Sequence, residues 1–163
     1  MCKNSIGHIR KMARNILKEY FSDHQNIIKP IPIDDIAKKF NIEIHYLDSL
    51  EKSHKAIKHI SPEDGRVLIG INKHYHIHSQ RFSIGHELGH HFLGHPPESK
   101  CTNDEIICYN HEADEFSAEI LMPLSELKQA LKKDSIDDIA KALCVSRDAL
   151  FIKIKNSNLL RYI

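Results

Sequence analysis

Tryptophan is absent from the 163-residue sequence, and cysteine, glycine and proline are sparse, at four, six and six. The cysteines, at 2, 101, 108 and 144, form no Cys-x-x-Cys pair and follow no regular spacing. That argues against a zinc knuckle and against a disulfide framework, so reduced thiols are expected. No long hydrophobic run exists: the longest strongly apolar stretch is Val67 to Ile71, against the ~18 residues of a membrane span. The opening Met1-Cys2-Lys3-Asn4-Ser5-Ile6-Gly7-His8 places a charge and polar residues where a signal peptide has its apolar stretch. A cytoplasmic location is therefore expected. An excess of either charge is also missing. Twenty-three Lys plus Arg against 22 Asp plus Glu leave a formal +1, no footprint for strong nucleic-acid binding.

What the sequence has in excess is histidine, 13 residues in all, the commonest metal ligand. The chain suits one domain, able to bury roughly 70% of the surface its unfolded form exposes. Ile9, Met12, Ala13, Ile16, Leu17 and Tyr20 recur at helical spacing, so Ile6 to Phe21 is expected to be an amphipathic helix. Ile33 to Phe40 is read as a short second helix opened by Asp34 and Asp35. Alternation over Ile42 to Leu47 predicts a half-buried strand. Ala56 to Ile60 and Arg66 to Ile71 flank a turn-forming Ser61-Pro62-Glu63-Asp64-Gly65 and predict two antiparallel strands. Helices are expected from Ser79 to about Gly94, from Asp104 to Met122, from Leu124 to Leu131 and from Ile136 to Ile154. The predicted class is α+β, with a small antiparallel sheet and a helical majority.

The chemistry concentrates in His86-Glu87-Leu88-Gly89-His90, an H-E-x-x-H string. Chance gives about 0.07 such strings in a chain of this composition, and the helical context makes it less ordinary still. Residues four apart lie on one helical face, so both imidazoles can converge on one ion, with Glu87 about 100° around and suited to hold a water. A hydrolytic zinc site needs a third ligand. A metzincin would place a histidine at position 96, which is Pro96. His95 would face nearly the opposite side of a continuous helix, and His91 also faces away. Both are read as surface histidines or as neighbours of the ligands. The following helix offers Glu112 and Asp114 at opposite edges of an inward stripe of Ile106, Ala113, Phe116, Ser117 and Ile120, with Glu115 outward. Wheel geometry does not choose between the two.

Phe82-Ser83-Ile84-Gly85-His86-Glu87-Leu88-Gly89-His90 and Glu112-Ala113-Asp114-Glu115-Phe116-Ser117-Ala118-Glu119-Ile120-Leu121-Met122-Pro123 together resemble the ImmA/IrrE family of metallopeptidases. Ser117 and Ile120 stand where that pattern usually has alanine and leucine. The resemblance implies a zincin-like minimal metallopeptidase core over 1–125 with a helical tail, 126–163, packed on it. It implies Glu112 as the third metal ligand beside His86 and His90, Glu87 as general base, and Asp114 as a neighbouring acid. The ion implied is Zn²⁺, with Mn²⁺ compatible with the same donors. Members of the family act on helix-turn-helix repressors. A chain ending at Ile163 resembles the compact anti-repressor members rather than those with a further sensor domain.

The expected function is thus zinc-dependent endoproteolysis of a transcriptional repressor, without direct contact to nucleic acid or membrane. The oxyanion donor is open between Tyr109 and His111. The strand Arg66 to Ile71 is read either as an exposed edge for strand addition by substrate or as an interior strand. His74, His76 and His78 invite a second metal site, although histidine-rich turns are often merely polar. The tail around Ile139 to Arg147 resembles part of a helix-turn-helix, yet residues 126–161 carry eight basic and five acidic side chains, only +3. Packing or substrate recognition is its expected role. The rival functions are a non-catalytic metal-binding regulator that docks on a repressor, and a DNA-binding protein.

Overall fold

A computed structural model describes residues 4–21 and 29–163; Cys2 lies outside the described residues. Among those residues are seven α-helices and one three-stranded sheet. Helix α1, Ile6–Phe21, buries Ile9, Ala13, Ile16 and Leu17, as the spacing of its apolar residues predicts. Helix α2, Ile33–Lys39, carries Asp34 and Asp35 in its first turn and Lys38 and Lys39 in its last. Each pair opposes the partial charge of the helix end it occupies.

The sheet is mixed rather than wholly antiparallel. Strands β2, Ala56–Ile60, and β3, Val67–Asn72, form the expected antiparallel hairpin, closed by Gly65 at φ +72°. Strand β1, Ile42–Leu47, pairs in parallel with the other side of β3, giving the order β1-β3-β2. A local pattern does not reveal which flank of β3 an earlier strand will join. Paired on both sides, β3 buries all but one of its residues, so the exposed-edge reading of that strand is overturned. The free edges belong to β1 and β2.

Helix α3, Ile77–Phe92, starts at His76, whose ring Nδ1 accepts a hydrogen bond from the His78 backbone N–H at 3.3 Å. His76 is thus occupied as a cap. Helix α4, Asn103–Leu121, opens with a full capping box. Thr102 Oγ1 accepts from the Glu105 N–H, and Glu105 Oε2 accepts from the Thr102 N–H at 2.8 Å. Helix α5, Leu124–Ala130, follows Pro123.

The single tail helix expected over 136–154 is two helices. Helix α6, Ile136–Leu143, stops where Cys144 takes a left-handed conformation, φ 53°. Ser146 then caps α7, Arg147–Asn156, accepting from the Ala149 N–H at 3.1 Å. One buried apolar cluster runs from Ile9 through Phe116 to Leu159, so the tail shares the core.

Helices α3 and α4 lie unusually close. A Cβ on Gly89 would stand 3.0 Å from Ala113 Cα, and one on Gly85 would stand 2.4 Å from Ser117 Oγ. Two glycines opposite Ala113 and Ser117 therefore set the separation of the helices that carry the candidate site. The Ser117 hydroxyl donates to the Phe82 carbonyl at 2.8 Å, a cross-link between the same two helices. Among the described residues no helix is long and apolar enough to cross a membrane. Cys101 and Cys144 are free thiols, but Cys108 is disulfide-bonded, which corrects the expectation of reduced thiols at that position.

Candidate metal centre

His86 and His90 leave one face of α3, and their Nε2 atoms stand 3.0 Å apart. Each ring is also held from behind. Asp114 Oδ1 lies 2.8 Å from His86 Nδ1, and His95 Nδ1 lies 2.9 Å from His90 Nδ1. Tying one ring nitrogen fixes the imidazole's rotation and presents the other nitrogen, the arrangement typical of metal-ligating histidines. Burial, then the neighbouring His86, His95 and Lys58, push the His90 pKa down to about 3, so the ring is neutral. Neutral imidazole is the form that binds a metal.

His95 arrives by a turn that helical periodicity does not anticipate. The helix ends at Phe92, Gly94 adopts φ +66°, and the His95 N–H donates to the His90 carbonyl at 3.1 Å. The chain therefore folds back and brings His95, 8% exposed, against His90. Tyr109 stacks on the His95 ring with centroids 4.5 Å apart.

Glu112 and Asp114 diverge as the wheel requires. Asp114 reaches His86. Glu112, only 2% exposed, points to the other edge of α4. There it accepts from the Asn4 backbone N–H at 2.8 Å and from the Asn4 side chain, while its Oε2 lies 3.1 Å from His95 Nε2. Burial alone would raise the Glu112 carboxyl, but the Asn4 hydrogen bonds and His95 outweigh it and hold it below the ordinary value. Glu112 is joined to His90 through His95, while the side-chain oxygen beside His90 Nε2 is Asn110 Oδ1, at 3.2 Å. Asn110 escaped the sequence reading; its one available signal was its position four residues before Asp114, on the same helical face.

Glu87, next to His86, is half-buried; burial raises its carboxyl above the ordinary value, against the lowering pull of His86 and Lys58. Lys58 was also missed. It projects from the edge strand β2, in register with the fully buried Ile69 of β3, on the sheet face that packs into the core. Burial lowers its ammonium and the Glu87 charge partly restores it.

The donor set fits two imidazole ligands for a divalent ion. Among the described residues, however, no group of three His, Cys, Asp or Glu side chains is placed to hold one; the third neighbour is an amide. His74 pairs with Asp48 at 3.5 Å, and His76 and His78 stack edge-on at 4.5 Å, with no metal-holding group around them. His111 is exposed, and Tyr109 is engaged with His95.

The chain belongs to the family of IrrE N-terminal-like domains, peptidase family M78, whose model matches residues 37–155. It is similar in fold to a Mycobacterium tuberculosis transcriptional regulator, at TM-score 0.61 and 14% identity over 87% of this chain. It spans 45% of that protein's length. No curated protein matches the sequence.

Proposed function

We propose that the protein is a metal-dependent endopeptidase acting on a helix-turn-helix transcriptional repressor, cleavage of which relieves repression. The hydrolase half of this reading is carried by one observation: two imidazole Nε2 atoms 3.0 Å apart, each ring tied at its other nitrogen. His86 and His90 would hold the ion, Zn²⁺ or Mn²⁺, which when bound supplies Lewis acidity to activate water and polarise the scissile carbonyl. Glu87 takes a proton from the attacking water on its carboxylate and delivers it to the leaving amine nitrogen. Lys58 brings a positive charge to the Glu87 side of α3 and favours the ionised base. An extended substrate segment pairs with the free edge of β2, which packs on α3.

The substrate half rests on the family resemblance, alongside a fold neighbour described as a transcriptional regulator. Cytoplasmic action accords with a repressor as target. Incubating the purified chain with a helix-turn-helix repressor, with and without chelator, tests both halves. Metal-dependent cleavage is expected, and E87Q should keep the metal and lose the cutting. Full cleavage by E87Q overturns the mechanism. A second reading, a metal-binding regulator that docks without cutting, is favoured by the amide beside His90; metal-dependent repressor binding with no cleavage by the unaltered chain would select it.

A further inference from the structure

We infer that the free edge of β2 selects an extended substrate segment with an apolar residue two positions before an acidic one, the acid pairing with Lys58. The inference rests on the endopeptidase reading above, in which substrate adds as a strand beside β2, and carries it to side-chain chemistry.

The register of the hairpin decides which groups that edge offers. The Ser61 N–H donates to the Arg66 carbonyl at 2.8 Å, and the Asn72 N–H donates to the Lys55 carbonyl at 2.9 Å. Residues 55 and 61 therefore turn their main-chain groups toward β3, and by the alternation of an antiparallel ladder so do Ile57 and His59. The N–H and C=O groups of Ala56, Lys58 and Ile60 point to the open side, where β2 has no strand neighbour among the described residues. The side chains of the same three residues share one face. Lys58 stands opposite the fully buried Ile69, and Ile60 opposite the buried Val67. Lys58 thus offers a pairing strand both a main-chain hydrogen-bond pair and a charge.

That charge has no counter-ion in contact. Among the described residues no carboxylate bonds the Lys58 ammonium, and Glu87 acts on it only at a distance. The charge is felt by His90 and His91 as well, one turn further along α3. The side chain therefore lies along the helix of the candidate site, half-buried. Opposite charges directly across two strands stabilise their pairing and like charges weaken it. A half-buried pair is also screened less by salt than an exposed one. Two residues on, Ile60 is 53% exposed on the same face, an apolar surface that the next same-face residue of a paired strand covers. Antiparallel pairing, the more stable kind per residue, places that apolar residue before the acid in the substrate.

Short extended peptides carrying valine, one spacer residue and then aspartate, asparagine or lysine are the probes. Binding to the E87Q chain is followed by fluorescence anisotropy, and cleavage by the Zn²⁺-loaded unaltered chain by mass spectrometry, at low and high salt. Aspartate is expected to exceed asparagine about 5-fold and lysine about 10-fold, with the margin shrinking as salt rises. K58E should invert the order and K58M should erase it, with circular dichroism confirming folding; K58M decides where K58E folds poorly. H59E, adjacent but on the opposite face, should leave the order unchanged. N-methylation of the aspartate, whose N–H pairs with the Lys58 carbonyl, should weaken binding about 10-fold, and N-methylation of the spacer far less. An order that neither K58E nor K58M moves, or that H59E moves as far, overturns the inference and leaves the endopeptidase reading intact. Preferred binding of the aspartate peptide without cleavage of any peptide sustains the inference and selects the docking reading instead. Absence of binding to every peptide overturns strand addition at β2 and the inference with it.

Discussion

Helix α4 carries two polar clusters, and they are balanced in opposite ways. Toward α1 and α7, Glu115 and Glu119 meet Arg10, Arg14 and Lys153. Arg10 Nε lies 2.6 Å from Glu115, Arg14 3.0 Å from Glu119, and Lys153 Nζ 2.7 Å from Glu119. Every charge there has an opposite partner, and Lys153 and Glu119 are buried at 2% and 0% exposure. Toward α3, the helix meets imidazoles whose nitrogens face other imidazole nitrogens, Nε2 to Nε2 and Nδ1 to Nδ1. Nitrogens paired in this way share protons rather than cancel charge. The first cluster is balanced in charge and ties three helices together; the second is a set of imidazoles in contact with one another. One helix thus carries a cluster whose charges cancel and a cluster whose ring nitrogens face one another.

The sharpest way to break this comparison is to remove a member of the balanced cluster. K153M leaves Glu119 buried with only the partly exposed Arg14 opposite it, and breaking a buried pair by deleting one partner costs about 3 kcal/mol or more. Chemical unfolding should show the loss, and K153M/E119L should recover much of it, because removing both charges leaves no uncompensated ion. H86A should cost far less stability. Equal losses in K153M and H86A would erase the distinction.

Acid should act on the imidazole cluster. The His90 pKa is about 3 in the fold against 6.5 for the free side chain. Between those values the unfolded chain binds the proton and the folded one does not, so stability rises with pH. The contribution is complete above about pH 6.5 and fades as pH falls toward 3. Glu112, held below its ordinary value, adds a loss in the same direction at lower pH. Urea midpoints measured with chelator should fall from pH 7.5 to 5, and the fall should shrink in H90N. A midpoint indifferent to pH over that interval would contradict the buried neutral imidazole.

The difference between the clusters also explains what the sequence did and did not reveal. The H-E-x-x-H string and its helix were legible because four-residue spacing decides which side chains share a face. The apolar stripes of α1 and α4 followed the same logic. Glu115 was read as outward because a wheel built around one buried stripe ignores a helix packed on α1, α3 and α7; its side chain is 18% exposed and bridged to Arg10 and Lys153. His95 was invisible because the turn at Gly94, not helical periodicity, carries it back. Asn110 went unread because its place beside His90 comes from the register between α3 and α4, a tertiary quantity. The break at Cys144 was hidden by apolar spacing that continues across it, although Ser146 was available as a cap.

That register is itself open to test. G89A gains helix propensity of about 1 kcal/mol, but the new methyl meets Ala113 Cα at 3.0 Å and its carbonyl oxygen at 3.1 Å. Backbone cannot yield as a side-chain tip does, so a net cost of about 1–3 kcal/mol is expected. Metal affinity should fall with it, because pushing α4 away carries Asp114 from behind the His86 ring. Thermal unfolding and a Zn²⁺ titration against a chromophoric chelator together check this. A stabilised G89A with unchanged affinity would mean that the close approach is not what aligns the two helices.

The smallest effect belongs to Ser117, whose hydroxyl donates to the Phe82 carbonyl across the same contact. That carbonyl lies inside α3, where an i+4 N–H already satisfies it through the helical ladder, so the serine occupies a second lone pair. S117A therefore leaves no acceptor orphaned and removes only the net value of one neutral hydrogen bond, about 0.5–1.5 kcal/mol. It also enlarges the space opposite Gly85, where a Cβ would otherwise meet the Ser117 oxygen at 2.4 Å. G85A should consequently be better tolerated in an S117A background than alone, and a double-mutant cycle on unfolding free energy measures that coupling. Additive losses would show that the hydroxyl is not what confines position 85, and that the helices are set apart by the Ser117 backbone, 3.2 Å from the same point.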